Sequence, residues 1–256
     1  MARFQQCPVA DPALARVSQR AHVGREDEVF LPIHVHGFVR GFRGSSRVVA
    51  VMRLNVRESV ARARTLSGGG HRAILGITGQ PGAGKSTIAR SLVSQVPGSV
   101  LLGMDAFHLA HSSLERLGLV ERKGAPHTFD PAGYVALLRR IRQGEAGVIW
   151  APEFRREIED SVSGAVAIAP EATLIVTEGN YLLLDEGPWA ALHALLDEVW
   201  YVEVPESVRW DRLTRRHEEF GRSPAQARAR TLGSDENNAR MVFNTRDRAD
   251  ALIVQE

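Results

Sequence analysis

The stretch that decides the fold of this chain is Gly79-Gln80-Pro81-Gly82-Ala83-Gly84-Lys85-Ser86. Its spacing, Gly-x-x-x-x-Gly-Lys-Ser, is the Walker A pattern of a loop that wraps the phosphates of a nucleotide. An apolar run of strand length, Ala73–Thr78, precedes the loop, and residues 85–96 after it have the composition of a helix. A strand, a glycine-rich loop and a helix in this order predict a phosphate-binding loop at the end of a buried strand.

The residue types in this loop follow from its chemistry. Glycines let backbone N–H groups turn inward and approach phosphate oxygens without obstruction by a Cβ. Lys85 has the length to reach the β- and γ-phosphates, and the Ser86 hydroxyl is a ligand for Mg²⁺. The loop therefore predicts ATP and Mg²⁺ as ligands. The residues expected to bind the nucleotide are Gly79, Gln80, Pro81, Gly82, Ala83, Gly84, Lys85, Ser86 and Thr87.

A chance glycine-rich segment and a dinucleotide site are the two alternatives to a nucleotide phosphate loop. A chance match would have to place four fixed positions between a buried strand and a helix. A dinucleotide site needs Gly-x-Gly-x-x-Gly after the strand, and the glycines here do not have this spacing. Both alternatives therefore fit the sequence less well than the phosphate loop does.

Apolar runs of strand length alternate with helical segments along the rest of the chain. The predicted strands are Ala73–Thr78, 100–104, 173–177, 199–204 and Ala251–Val254, and the predicted helices are 58–66, 85–96, 132–142, 189–196 and 207–220. This alternation predicts βαβ units, which build a parallel sheet covered by helices. The expected fold is a three-layer α/β P-loop NTPase fold, with a five-stranded, mainly parallel sheet, helices on both faces and a small lid.

The composition and charge of the chain disfavour nucleic acid and membranes as partners. The formal net charge is +2 over 256 residues, so no strong basic field points to nucleic acid or to a membrane surface. No apolar run approaches the length of a membrane span, and the N-terminus lacks the apolar core of a secretory signal. The single cysteine, Cys7, cannot form a disulfide within the chain. We therefore expect a cytoplasmic protein, and the sequence leaves its oligomeric state open, a homodimer included.

Residues 1–51 differ from the rest of the chain because no apolar periodicity persists in them. We expect an N-terminal extension there, and the sequence leaves open whether it packs as a small appendage or is disordered. One hypothesis is that the folded protein starts at Met52 and that residues 1–51 do not belong to the native protein. The mass of the native protein would test this hypothesis.

Two acids follow predicted strands at the edge of the sheet where ligands bind. Asp105 comes after residues 100–104, and Glu178 comes after residues 173–177. Ligands of open α/β sheets bind outside the carboxyl ends of the strands. Transfer of a phosphoryl group to an alcohol needs a carboxylate that deprotonates the hydroxyl and another that holds Mg²⁺. The alternative is that each acid only caps the next helix or loop, and the Walker A loop in the same sheet favours function.

Four arginines in the predicted helix 207–220 fall three or four residues apart, at positions 209, 212, 215 and 216. Such residues share one helical face. They are either a lid that closes over a transferring phosphoryl group, or a solvated face partly paired with the glutamates of the same helix. The sequence alone leaves both interpretations open.

Several separate motifs resemble the phosphoribulokinase / uridine kinase / bacterial pantothenate kinase group. They are the loop 79–86, the stretch Met104-Asp105-Ala106-Phe107-His108, and the segments 122–130 and 177–184. The resemblance covers about residues 58–256. It is nearest to the branch named nucleoside/nucleotide kinase family proteins, of which some are labelled fructose transport system kinases or fructokinases. It implies that residues 52–256 form a P-loop kinase domain.

The resemblance also implies roles for individual residues. Asp105 matches the catalytic base, and Glu178 matches the acid after the third strand. Arg212 and Arg216 match lid arginines, and together with Lys85 these are the expected catalytic residues. Ser86 and Glu178 are the expected metal ligands. The residues expected to bind the phosphoryl acceptor are His108, Lys123, Phe129, Arg156, Asn180 and Tyr181.

Some of these residues have a structural alternative. Phe129 and Tyr181 have the character of core aromatics, and Asp130 precedes Pro131 as a helix N-cap would. Trp150, Trp189 and Trp200 are expected in the core. Phe154-Arg155-Arg156 stands where the group commonly has an aspartate after the aromatic residue, which leaves the identity of the acceptor open.

The expected function is transfer of the ATP γ-phosphoryl group to a hydroxyl of a sugar, a nucleoside or a pantothenate-like alcohol. A nucleotide-hydrolysing switch or chaperone is the alternative from another class. A guanine-specific Asn-Lys-x-Asp motif would favour it, but the nearest stretch, Asn244-Thr245-Arg246-Asp247, lacks the lysine. A nucleotide-binding module without kinase activity is a third possibility, which the intact Lys85 and Asp105 disfavour.

Overall fold

The structure is a computed structural model that describes residues 51–254. The predicted N-terminal extension therefore lies outside the described residues, apart from Val51. No helix within residues 51–254 combines the length and the apolar composition that crossing a bilayer would require.

The described part of the chain alternates between strands and helices. The strands are β1 (Met52–Leu54), β2 (Ala73–Thr78), β3 (Ser99–Gly103), β4 (Ile149–Arg155), β5 (Asp160–Ile168), β6 (Leu174–Glu178), β7 (Glu198–Glu203) and β8 (Ala251–Val254). The α-helices are α1 (Val56–Ser67), α2 (Lys85–Gln95), α3 (His111–Leu117), α4 (Pro131–Gln143), α5 (Glu206–Glu219), α6 (Pro224–Arg230) and α7 (Glu236–Phe243). A π-helical turn, Thr231–Asp235, joins α6 to α7.

Six of these strands form one sheet in the order β1-β8-β7-β2-β6-β3, and every pair in it is parallel. The strand that carries the phosphate loop, β2, lies in the middle of the sheet between β7 and β6. Strand β3 pairs with β6 so that Gly103 is opposite Glu178. The carboxyl ends of β2, β3 and β6 therefore meet at one edge.

Helices cover both faces of the sheet because alternate residues of each strand point to opposite sides. Ile74 packs in a core with α4, whereas its neighbour Leu75 packs in a second core with α1 and α2. All six residues of β2 are buried, as expected for a central strand covered on both faces. This confirms the predicted three-layer α/β architecture.

The strand count differs from the prediction of five. Strand β1 was missed because it has three residues and only Leu54 is buried. Strands β4 and β5 were also missed. They form a separate antiparallel hairpin, whose pairing is irregular between Ala151 and Glu153. Pro152 interrupts the apolar alternation there, which hides the strand in the sequence.

Two further local predictions were wrong. The predicted helix over residues 189–196 is instead two short 3₁₀ turns, Gly187–Ala191 and His193–Leu195, which place Trp189 and Leu192 in the core. Trp150 was predicted in the core but is 59% exposed, because its neighbours Ile149 and Ala151 point inward from β4. Trp189 and Trp200 are buried as predicted.

The packing of α4 gives a test of the core. Leu138 is fully buried in the core between α4 and the sheet. We expect Leu138→Ala to lower the free energy of unfolding by about 2–5 kcal/mol, through lost burial and the cavity left behind. Arg139→Ala, at the next and exposed position of α4, should change it by less than about 0.5 kcal/mol. Urea unfolding of both variants measures the difference, and equal losses would contradict this packing.

Candidate active site

The phosphate loop leaves β2 and packs closely against β7 and α5. Gly79 has φ 146° and Gly82 has φ 80°, in the region of backbone conformation that favours glycine. A Cβ on Gly79 would lie 2.7 Å from the carbonyl oxygen of Val202, and one on Gly82 would lie 2.8 Å from that of Arg209. The loop backbone is thus fixed by the neighbours behind it.

Lys85 is the first residue of α2, where backbone N–H groups have no acceptor within the helix. Its side chain is 8% exposed, and Nζ donates to the carbonyl oxygen of Gln80 at 3.1 Å. Burial lowers the pKa of Lys85 to about 8, although the carboxylates of Glu178 and Asp105 oppose the shift. An anion bound in the loop would stabilise the charged ammonium and raise this pKa again.

Ser86 and Glu178 provide two adjacent oxygen donors at the mouth of the loop. Ser86 Oγ donates to Glu178 Oε1 at 3.0 Å. Burial raises the pKa of Glu178, Asp105 raises it further, and Lys85 opposes both. A hydroxyl and a carboxylate fit Mg²⁺, which takes oxygen ligands and completes its coordination with water and phosphate oxygens. Within residues 51–254 no group of three or more His, Cys, Asp or Glu side chains is placed to hold a metal ion.

Buried hydroxyls hold the strand end that carries Glu178. The hydroxyl of Tyr134, on α4, lies 2.5 Å from Thr177 Oγ1. Thr177 Oγ1 in turn donates to the carbonyl oxygen of Leu102, at 2.8 Å. Because that bond uses the threonine proton, Tyr134 must be the donor in the first one. The chain of bonds links α4, β6 and β3 directly below the site.

Asp105 lies in a 3₁₀ turn, Met104–Phe107, that follows β3. Its Oδ2 is 3.6 Å from Nη2 of Arg156, which comes from the turn between β4 and β5. The backbone carbonyl of Asp105 accepts a hydrogen bond from His108 Nδ1 at 2.9 Å. A carbonyl oxygen only accepts, so Nδ1 carries the proton, and burial lowers the pKa of His108 and favours the neutral ring.

Two adjoining cavities meet at these side chains. One, of about 430 Å³, is lined by the phosphate loop and by Arg212 of α5. The other, of about 480 Å³, is lined by His108, Lys123, Phe129 and further residues of the segments around them. The residues that line both cavities are Gly82, Lys85, Ser86, Asp105, Phe154, Arg156, Glu178 and Arg216. The loop, the two acids and two arginines therefore stand where the two cavities adjoin.

The model of the Phosphoribulokinase / Uridine kinase family matches residues 74–256. The chain belongs to this family. The match starts inside β2 and includes the phosphate loop, both acids and the arginines of α5. Kinases of this family transfer phosphoryl groups, so the chain is a P-loop kinase-family protein.

Individual relatives agree with this assignment. An ATP-dependent kinase-like protein of Aspergillus versicolor, notR', is 36% identical over 152 residues, which are 56% of this chain and 88% of that protein. A pantothenate kinase of Clavibacter sepedonicus is 30% identical over 211 residues, 70% of this chain and 65% of that enzyme. Among solved structures, a protein named as a fructose transport system kinase from Silicibacter sp. TM1040 is 33% identical, covers 76% of this chain and 95% of its own, and has a TM-score of 0.68.

Most of the residues predicted to bind the acceptor line the second cavity of this kinase-family protein. They are His108, Lys123, Phe129, Arg156 and Asn180. The His108 ring contacts Phe129 at a tilt of 37° with centroids 3.9 Å apart, and its centroid lies 5.4 Å from that of Phe154. Lys123 Nζ donates to the carbonyl oxygen of Glu159 at 2.9 Å and lies 5.4 Å from the Phe154 ring centroid. One wall of the cavity is therefore aromatic.

Tyr181 is placed differently from the other predicted acceptor residues. It is buried in the core beside Trp189, and its hydroxyl donates to the carbonyl oxygen of Gly124 at 2.5 Å. It lines neither of the two cavities. Asp130 is the N-cap of α4, where its carboxylate accepts from Gly133 N. Tyr181 thus supports the segment that contains Gly124 from the core.

The predicted lid arginines separate into different environments. Arg216 lines both cavities, and burial lowers its pKa, with Arg156 contributing in the same direction. Arg212 donates to the carbonyl oxygen of Ala83 in the phosphate loop at 3.3 Å. Arg209 is only 1% exposed, so the interpretation of one shared face of lid arginines is wrong for this residue. Helix α5 packs the side that carries Arg209 against the phosphate loop. Helical periodicity grouped the four arginines on one face but did not show what packs against that face.

Arg209 belongs to a buried network that the sequence did not reveal. Its Nη1 donates to the carbonyl oxygen of Pro81 at 3.3 Å, and its Nη2 lies 3.1 Å from Oε2 of Glu236. Trp210 Nε1 donates to the same oxygen at 3.2 Å. The phosphate loop is thereby joined to α5 and α7. Glu236 lies 27 residues after Arg209 in the chain, so helical spacing could not pair the two in the sequence.

Two residues near Glu236 in the chain, Arg230 and Asn238, contact the segment that carries Lys123. Arg230 donates to the carbonyl oxygens of Glu121 and Lys123, at 2.9 and 2.8 Å. Asn238 Nδ2 donates to the carbonyl oxygen of Gly124 at 3.3 Å. The C-terminal helices therefore contact both the phosphate loop and the segment that carries Lys123, and this gives Asn238 a role in positioning.

The Arg209–Glu236 pair gives a test of how the loop is held. We expect Glu236→Ala to lower the free energy of unfolding by about 3–5 kcal/mol, because it removes the buried counter-charge of the Arg209 guanidinium and leaves only the exposed Glu206 near it. Glu206 is the matched control, since it also lies 3.7 Å from Arg209 but its side chain is 57% exposed. Glu206→Ala should cost less than about 1 kcal/mol. Chemical unfolding compares the two variants, and similar costs would show that the buried pair does not hold the loop.

Proposed function

We propose that this protein is an ATP-dependent kinase that transfers the γ-phosphoryl group to a hydroxyl of a small metabolite. The observation that supports this proposal is the shared lining of two adjoining cavities by Lys85, Ser86, Asp105 and Glu178. A hydrolysing switch needs one space for its nucleotide, whereas a small-molecule kinase needs a second space beside it for the acceptor. Membership of the Phosphoribulokinase / Uridine kinase family supports the same reaction class.

In the proposed reaction, Asp105 orients the acceptor hydroxyl and takes its proton. The acceptor oxygen forms a bond with the γ-phosphorus while the bond from that phosphorus to the β–γ bridging oxygen breaks, and ADP leaves with the electron pair. Lys85, Arg212 and Arg216 neutralise the charge on the moving phosphoryl group. The neutral His108 can accept a hydrogen bond from the acceptor at Nε2, because its Nδ1 proton is already donated to the Asp105 carbonyl.

The donor and the metal are part of this proposal. Mg²⁺ would be held by Ser86 and Glu178, directly or through water, and it would neutralise negative charge on the phosphates. The nucleotide phosphates would rest on the loop from Gly79 to Thr87. We propose the cytoplasm as the place of reaction, since the proposed donor is an intracellular metabolite, and a small molecule as the acceptor, with neither nucleic acid nor membrane as a partner.

The acceptor is proposed as a sugar, a nucleoside or a pantothenate-like alcohol. The relatives support this range, because one is a pantothenate kinase and another is named as a fructose transport system kinase. The aromatic wall formed by Phe129, His108 and Phe154 suits the apolar face of a sugar ring or a base. A screen of ADP release over sugars, nucleosides and pantothenate, with Lys85→Ala as the blank, would select among them.

The assignment of the base can be tested by one substitution. Asp105→Asn should lower kcat about 10²- to 10⁴-fold with the acceptor found in that screen, because the amide cannot take the proton. Mg·ATP binding, measured by calorimetry, should be retained. Asp247→Asn is the control, since Asp247 is 94% exposed and lines neither cavity. Near-normal kcat in Asp105→Asn would rule out this residue as the base.

The pKa of Lys85 predicts how nucleotide affinity depends on pH. The ammonium form binds phosphate, and the free enzyme loses that form as pH rises through about 8. The affinity for Mg·ATP should therefore be constant between pH 7 and the pKa and should fall above it, by up to about tenfold per pH unit. Lys85→Arg keeps its charge over this range, so its remaining affinity should not show the step. A wild-type affinity that stays flat to about pH 9.5 would contradict the prediction.

A further inference from the structure

The turn between β4 and β5 brings an arginine to the junction of the two cavities. Arg156 follows the last residue of β4 and lines both spaces, together with Lys85 and Arg216. The sequence grouped it with the residues that bind the acceptor. A residue that only held the acceptor would be expected on the acceptor side alone.

The charged groups around Arg156 are those at the junction of the two cavities. Its nearest carboxylate is Asp105, at 3.6 Å between Nη2 and Oδ2. Burial raises the pKa of Glu178, and the positive charge of Arg156 opposes that shift. Burial lowers the pKa of Arg216, and Arg156 adds to that shift. Arg156 therefore acts on Asp105, Glu178 and Arg216, the charged groups that stand beside Lys85 at the junction.

The contact between Arg156 and Asp105 is loose. At 3.6 Å it is too long for a hydrogen bond, and the Arg156 side chain remains 45% exposed. Its guanidinium carbon lies 6.0 Å from the ring centroid of Phe154, a nearby residue of the same hairpin. A weak partner and a partly exposed side chain leave the guanidinium able to exchange Asp105 for a more strongly charged group. A phosphoryl group at the junction is such a group, and guanidinium binds it with paired N–H donors.

We propose that Arg156 is a catalytic residue whose guanidinium exchanges its contact with Asp105 for one with the transferring phosphoryl group. This inference rests on the proposed kinase function. While the nucleotide is absent, Arg156 balances the charge of Asp105. When the phosphoryl group lies at the junction, Arg156 neutralises it together with Lys85 and Arg216, and the carboxylate of Asp105 is released for the acceptor hydroxyl. The hairpin thereby supplies a phosphoryl ligand from outside the main sheet.

The alternative is that Arg156 binds only the acceptor, as the sequence predicted. The two roles differ in the kinetic constant that they control. A group that contacts the phosphoryl as it moves stabilises the transition state and changes kcat, whereas a group that holds only the acceptor changes KM. They also differ in binding: only the first role contributes to the affinity for a transition-state analogue such as Mg·ADP with aluminium fluoride.

Arg155 offers a matched control for the experiment. It is the preceding residue on the same hairpin, its side chain is 54% exposed, its Nε lies 3.4 Å from Glu153 Oε2, and it lines neither cavity. Arg156→Ala, Arg156→Lys and Arg155→Ala would be compared with the wild type in acceptor-dependent ADP release. Their affinities for Mg·ADP, alone and with aluminium fluoride, would be measured by calorimetry.

We expect Arg156→Ala to lower kcat about 10²- to 10³-fold, the loss seen when one donor to a developing charge is removed. Its affinity for Mg·ADP should stay within about twofold of wild type, while the gain in affinity from aluminium fluoride should be lost. Arg156→Lys should recover part of kcat and part of the affinity gain from aluminium fluoride, because it restores the charge without the paired donors. Arg155→Ala should match the wild type in every measurement.

A normal kcat with a raised acceptor KM in Arg156→Ala would overturn this role, and so would an undiminished gain in Mg·ADP affinity from aluminium fluoride. Either result would mean that Arg156 binds only the acceptor. Equal effects of Arg155→Ala and Arg156→Ala would overturn it as well, because a general disturbance of the β4–β5 hairpin would then explain both. Failure of the kinase proposal itself would look different, because the wild type would then release no acceptor-dependent ADP with any compound of the screen. The aluminium fluoride comparison needs no acceptor turnover, so it tests the contact of Arg156 with the phosphoryl position separately from the kinase proposal.

Discussion

The close packing of the phosphate loop against β7 and α5 is the constraint on which the rest of the site depends. Gly79 and Gly82 approach backbone atoms of Val202 and Arg209 so closely that a Cβ at either position would collide with them. The buried pair of Arg209 and Glu236 holds the same loop from α7. A loop fixed from behind in this way keeps its ligand side organised before any ligand binds, so little ordering has to accompany binding.

The parallel sheet then decides which side chains meet the loop. Because β2, β6 and β3 are neighbours with parallel chains, their carboxyl ends meet, and Ser86, Glu178 and Asp105 are brought together there. Hydrogen bonds from Tyr134 through Thr177 to Leu102 hold this edge below the acids. Burial has opposite chemical effects on the two charges of the loop mouth: it raises the pKa of Glu178 and lowers that of Lys85. Both shifts favour the neutral forms, and a phosphate with its metal ion would reverse them.

The second cavity is built from elements outside the main sheet. The segment around Lys123 and Phe129, the β4–β5 hairpin and the C-terminal helices each contribute part of the second cavity. Arg230 and Asn238 connect the C-terminal helices to the Lys123 segment, while Glu236 connects them to Arg209 and the phosphate loop. The two binding spaces therefore share one structural support.

The sequence by itself determined the phosphate loop, the alternation of strands and helices, and the two acids at the strand ends. These features were predictable because they depend on local spacing and on one topological rule, that parallel strands end at the same edge. Only the tertiary structure decided that Arg209 is buried, that Tyr181 supports the Gly124 segment from the core, and that Arg156 lies at the junction of both cavities. It also decided that residues 149–168 form a hairpin and that Trp150 faces solvent. Such outcomes depend on contacts between segments far apart in the chain, and helical or strand periodicity can group residues on a face without saying what packs against it.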